Sequence, residues 1–187
     1  MIKKLIRQTI KKSLTGSRGL VLHNDYPDIA KMNIKDLGLY LHIPFCMRPC
    51  FYCPYFKEKY NRKNAIDYSS AVLKEMEFYE NVLGNASITS FYIGGGTPTT
   101  MVGSGLEEIV EAVKQSFSLK CGISMETHPN DIAPSMIGKL KDMGVESVSM
   151  GVESFNDRFL EIIGRTYRSR KARDAVSLLM ESEFKCV

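Results

Sequence analysis

Cys46, Cys50 and Cys53 stand in the stretch "HIPFCMRPCFYCPYF" in a C-x3-C-x2-C pattern that holds three of the chain's five cysteines. Thiols this dense bind metal, and three of them suit two kinds of site. A structural zinc ion takes four protein ligands, commonly C-x2-C with a second pair elsewhere, and no second pair follows here. A [4Fe-4S] cluster takes one ligand per iron, so three cysteines leave one iron open to a substrate or cofactor. The spacing by itself admits either metal.

The elements that would position these groups can be read from hydrophobic periodicity. "GLYLHIPF" is a buried-strand pattern that stops at Pro44 and the cysteines. Apolar residues at a 3.6 period predict a helix over 64–83, with Gly84 as its C-cap. "SITSFYIGGGTPT" then predicts a strand running into glycines, with a helix over about 105–117. The cycle repeats as "GISMETHP" and "DIAPSMIGKLKDMG", and again as "VESVSMGVES" with helices over 156–163 and 169–182. Strands alternating with helices predict βαβ units and a parallel sheet, open or closed into a barrel.

The cysteine loop, "GGGTPT", "ETHP" and "GVESFND" each follow or end a predicted strand. The carboxyl ends of parallel strands share one edge, where ligands bind, so the four segments can converge. "GGGTPT" lacks the Gly-Lys-Ser/Thr ending of a P-loop and the spacing of a dinucleotide fingerprint. Its glycines serve either a tight turn or a close approach of backbone to another group.

The terminal "FKCV" reads as the opening of a fifth strand without a helix after it, so the sequence is expected to be a fragment, incomplete for catalysis. Composition is that of an ordinary globular domain, 44% hydrophobic and 25% charged, with no apolar run of membrane-spanning length. Six of the 25 basic residues fall in the first 18 positions without an acid among them, leaving 19 basic against 21 acidic groups in the rest. That balance argues against a nucleic-acid-binding surface. Residues 1–35 form a basic amphipathic segment and 36–187 the core domain. Lysines interrupt every turn of the start, which excludes a secretory signal and predicts a cytoplasmic protein. Cys121 and Cys186 stand alone and read as small buried hydrophobes. His42, in an apolar strand, reads as a hydrogen-bonded core histidine rather than a fourth ligand.

"LYLHIPFCMRPCFYC" resembles the cluster motif of radical S-adenosylmethionine (SAM) enzymes. It is most similar to the branch of oxygen-independent coproporphyrinogen III oxidase, with its heme chaperones and class C methyltransferases. The resemblance continues in order through "FYIGGGTPT", "METHPNDI" and "VSMGVESFNDRFLEIIGRTY", over about residues 38–187. It implies an α/β fold, a partial (β/α) radical SAM barrel of parallel strands that breaks off near the fifth.

It further implies that Cys46, Cys50 and Cys53 hold a [4Fe-4S] cluster whose fourth iron chelates SAM. Reduction then cleaves SAM to a 5′-deoxyadenosyl radical that takes hydrogen from a substrate. Tyr40 and Tyr52 match aromatics near the cofactor, and Gly94, Gly95, Gly96 and Thr97 match the loop that meets its amino end. Glu126 would face the cofactor. Glu153 stands where the oxidases carry glutamine, a departure that replaces a donor-acceptor with an acceptor. Arg165 matches an arginine that meets a carboxylate. For Tyr40 an ordinary core aromatic, and for Arg165 a surface arginine after a helix end, remain the plain alternatives. The implied activity is oxidative decarboxylation of tetrapyrrole propionates, beside methyl transfer or heme delivery. The implied partners are a small-molecule substrate of tetrapyrrole type and an electron donor such as flavodoxin or ferredoxin.

Overall fold

A computed structural model describes residues 34–83 and 86–187. The basic segment expected at 1–35 lies outside these residues except for its last two, and so does the proposed cap at Gly84.

Four strands form the central sheet: β1 (Asp36–Ile43), β4 (Ser87–Gly95), β6 (Ile123–Thr127) and β7 (Val145–Met150). They lie side by side in that order and all pair in parallel. A short β5 (Ser118–Leu119) adds to the start of β4. At the other edge Cys186 forms a parallel bridge to Ser147, with Val148 N donating to Cys186 O at 3.0 Å. The expected fifth strand thus begins as a single bridge, and the described sheet is open.

Helices α1 (Arg62–Leu83), α2 (Leu106–Ser116), α3 (Pro134–Asp142), α4 (Asp157–Ile162) and α5 (Ser169–Met180) connect or follow the strands. Their starts follow local chemistry. Asn61 Oδ1 accepts from the Asn64 backbone at 3.2 Å, which begins α1 two residues before the apolar pattern does. Pro134 opens α3, and Asn156 caps α4 by accepting from Arg158 and Phe159.

Side chains alternate across each strand. Ile43, Phe91, Ile93, Ile123 and Met125 are fully buried in the helix-covered core, together with Leu106, Ile109 and Leu140. The opposite face is polar and open among the described residues. It carries Tyr40, His42, Tyr92, Glu126 and Ser149, and Tyr40 is 56% exposed. The core-aromatic alternative for Tyr40 therefore fails, because no layer covers its face among the described residues. His42 is likewise half-buried rather than core, though it is hydrogen-bonded to Tyr40 Oη at 2.9 Å.

Cys186 is exposed and Cys121 half-buried, against the reading of both as buried hydrophobes. Among the described residues Cys186 pairs with a strand on one side only, whereas Cys121 does pack against the core from the β5–β6 connection. Because Ile93 lies in β4 between β1 and β6 with no exposed surface, Ile93→Ala is expected to lower stability by about 2–5 kcal/mol in urea unfolding.

Candidate functional site

At the carboxyl edge of the sheet the chain turns at Pro44 into β2 (Phe45–Cys46), which pairs in parallel with β3 (Glu58–Lys59). Glu58 N donates to Pro44 O at 2.7 Å and Tyr60 N to Cys46 O at 2.8 Å. Residues 47–57 are thereby a loop closed at its base, with Cys46 at the closure and Cys50 and Cys53 within it. Cys53 N donates to Cys50 O at 3.3 Å, and Lys57 Nζ donates to the carbonyls of Cys53 and Tyr55. Cys46 is buried, Cys50 and Cys53 are half-buried, and all three are free thiols. Burial pushes the Cys46 thiol up, against the opposing hydrogen bond from Thr97.

The glycine loop is fitted to this strand. Gly96 N donates to Ile43 O and Thr97 N to Phe45 O, each at 2.7 Å. Thr97 Oγ1 lies 3.6 Å from Cys46 Sγ. A Cβ on Gly96 would meet Phe45 O at 2.6 Å and Cys46 Sγ at 2.9 Å. Close approach therefore accounts for Gly96, while Gly95 also needs its left-handed φ of 117°.

Glu126, from the end of β6, accepts from Gly95 N at 3.0 Å and from Tyr92 Oη at 2.9 Å. Burial and the hydrogen bond to Glu126 push Tyr92 up to about 12, so it stays a donor. Tyr92 pairs in register with Tyr40 and their rings stack at 6.2 Å.

Beyond β7, the Arg165 side chain is only 7% exposed, so the surface-arginine alternative fails. Its Nη1 donates to Cys50 Sγ at 3.3 Å, its Nε to Tyr167 Oη at 2.9 Å and its Nη2 to Gly151 O. Glu153 approaches Nη2 at 3.8 Å from a left-handed backbone, φ 64°, that is costly for a residue other than glycine. A carboxylate at this position has a cation to face, which glutamine would not need.

A cavity of about 380 Å³ gathers these groups. Its walls include Cys46, Cys50, Cys53 and Tyr52 from the cysteine loop, and Gly95, Gly96 and Thr97 from the glycine loop. Glu126, Glu153 and Arg165 also line it. Tyr40 and Gly94 are not in its wall: Gly94 packs against Tyr92 and Glu126, and Tyr40 lies behind Tyr92.

The structure adds residues that sequence reasoning did not single out. Lys57 and His128 line the cavity, and Tyr167 orients Arg165. His128 was signalled only by its place in "ETHP", and Lys57 and Tyr167 by nothing local. His128 Nδ1 accepts from Asn130 N at 3.2 Å, and burial, then the nearby Arg165 charge, lowers its pKa to about 4. The unfolded histidine protonates first, so this group contributes stability above pH about 6.5 that is lost as pH falls toward 4. The loss is at most about 3 kcal/mol. His128→Phe is expected to flatten that part of the pH–stability curve, measured by urea unfolding.

The three free thiols line one cavity and fit an iron-sulfur cluster, which takes each thiolate on a different iron. Hydrogen-bond donors already stand beside two of the sulfurs, the kind of outer contact that tunes a metal centre.

The profile of the radical SAM superfamily matches residues 40–187. Heme chaperone HemW of Lactococcus lactis is 30% identical over 152 residues, which cover 80% of this chain and 39% of the relative. Oxygen-independent coproporphyrinogen III oxidase of Paracoccus denitrificans is 29% identical over 149 residues, covering 78% and 33%. The chain thus spans about two fifths of the length of the first of these relatives. Among solved structures, coproporphyrinogen III oxidase (HemN) from Escherichia coli superposes with a TM-score of 0.77 at 24% identity, over 84% of this chain and 37% of that one. That likeness carries the fold, the open parallel α/β sheet described above. Among the described residues no helix is long and apolar enough to cross a membrane. With a family match over most of its length and this fold, the chain belongs to the radical SAM superfamily.

Proposed function

We propose that Cys46, Cys50 and Cys53 hold a [4Fe-4S] cluster, that SAM binds beside it, and that the chain serves radical chemistry on a tetrapyrrole. The observation that carries this reading is the meeting of three free thiols, the glycine loop, Glu126 and Arg165 in one cavity. When bound and reduced, the cluster supplies the electron that cleaves SAM and starts hydrogen abstraction.

The chain's residues hold and orient. Gly95 and Gly96 bring backbone to the cavity wall without side chains in the way. The Glu126 carboxylate already accepts two hydrogen bonds, and its remaining lone pairs can take amino or ribose hydroxyl hydrogens of SAM. Tyr52 offers a ring face to the adenine. Tyr55, from the same loop, adds an exposed aromatic ring to the wall.

Tetrapyrrole is the ligand class because the relatives' names converge on it: coproporphyrinogen for the oxidase, heme for the chaperones. Oxidative decarboxylation of propionates is the first reading, with an electron donor such as flavodoxin or ferredoxin. Heme delivery is the second, favoured by the HemW name borne by several relatives of 30–31% identity.

The test is anaerobic reconstitution with iron and sulfide, followed by coproporphyrinogen III or heme in the presence of SAM and dithionite. The oxidase reading expects coproporphyrinogen binding, with any SAM consumption tied to release of carbon dioxide. The chaperone reading expects heme retention with SAM intact. Failure to bind iron, or binding of neither tetrapyrrole, contradicts the proposal.

A further inference from the structure

We propose that Arg165 sets the reduction potential of the iron-sulfur centre, by donating a charge-assisted hydrogen bond to the Cys50 sulfur from a position locked by the loop after β7. This rests on the reading that Cys50 ligates a cluster.

The guanidinium is fixed on three sides. Nη2 is held by Gly151 O, and Nε by Tyr167 Oη at 2.9 Å. Tyr167 is itself anchored, since it is buried and its hydroxyl donates to Val152 O at 2.6 Å. The His128 and Tyr167 rings pack in a T-shaped pair with centroids 5.1 Å apart. With those contacts made, the planar fork directs Nη1 to Cys50 Sγ at 3.3 Å. The contact joins two loops that are far apart in sequence.

Charge gives the direction of the effect. One-electron reduction takes the cluster from its 2+ to its 1+ state and adds negative charge shared with its thiolates. A cation donating to a ligand sulfur favours the reduced form, and more strongly where the donor is buried. Lys57 and Arg48 are the other cations at the loop; the Lys57 ammonium is engaged by the carbonyls of Cys53 and Tyr55 rather than by sulfur, and Arg48 lines the cavity. Glu153, 3.8 Å from Nη2, offsets part of the Arg165 charge.

The experiment is a dithionite titration of the reconstituted chain, with the reduced cluster followed by electron paramagnetic resonance (EPR). Arg165→Met is expected to make the midpoint more negative by at least about 59 mV, a tenfold change in the one-electron equilibrium constant. Tyr167→Phe, which keeps the charge and frees the fork, moves it the same way by less. Glu153→Gln moves it positive. Iron content and far-ultraviolet circular dichroism are recorded for each variant. If Arg165→Met does not load iron, Arg165→Lys and Tyr167→Phe decide the matter. Loaded variants with the wild-type midpoint overturn the proposal, whereas a wild-type chain that takes no cluster overturns the reading beneath it.

Discussion

Cys46→Ala is expected to lose the iron-sulfur centre outright, from roughly four irons per reconstituted chain to background. Cys46 is the buried member of the trio and belongs to β2, whose pairing with β3 closes the cysteine loop. Its sulfur is also the one the glycine loop touches, through Thr97 Oγ1 and the space left by Gly96. Removal of a metal's neighbouring hydrogen-bond partner commonly costs 10–100-fold in affinity, so loss of a ligand itself is expected to exceed about 100-fold. Cys186→Ala is the matched control, because that thiol is exposed on the far edge of the sheet. Iron and sulfide analysis with the visible spectrum distinguishes the two. Retention of a full cluster by Cys46→Ala contradicts the assignment.

Gly96→Ala is expected to have the next largest effect, lowering stability by about 1–3 kcal/mol and reducing iron retention. The added methyl would sit 2.6 Å from a backbone carbonyl, that of Phe45, and 2.9 Å from Cys46 Sγ. The carbonyl cannot swing aside as a flexible side-chain end would, since it is backbone and already bound by Thr97 N. Relief has to come from moving β2, and with it Cys46. Gly103→Ala separates this from glycine's conformational role: Gly103 has a left-handed φ of 77° but open space around its Cα. That substitution is expected to cost about 1 kcal/mol without disturbing iron. Equal iron loss in both variants would show that crowding at Cys46 is not the cause.

The long elements were legible in the sequence because each carries enough residues to display a period. β4, β6 and β7 and helices α1, α2 and α5 fall where the 2.0 and 3.6 patterns place them. β2, β3 and β5 are two residues each, too short for any period, yet the β2–β3 pair is what closes the cysteine loop. The reading of His42 as a core residue, with a core place also open to Tyr40, has a different source. "GLYLHIPF" looks continuously apolar, but its tyrosine and histidine share the face that no helix covers among the described residues.

At the site, local motifs revealed the thiols and the glycines, because metal ligation and close backbone approach both leave marks at short spacing. The destination of Arg165 left none. Its contact with Cys50 is created only when the loop after β7 folds against the cysteine loop, and Tyr167, two residues on, holds it there. Glu153 was visible as a departure from glutamine, but its meaning depends on the guanidinium at 3.8 Å.

The most direct test of the central claim is the EPR spectrum of the reduced, reconstituted chain recorded before and after addition of SAM. Three cysteine ligands and an open iron predict a [4Fe-4S] signal that changes when SAM coordinates. A cluster signal that SAM leaves unaltered would contradict the account.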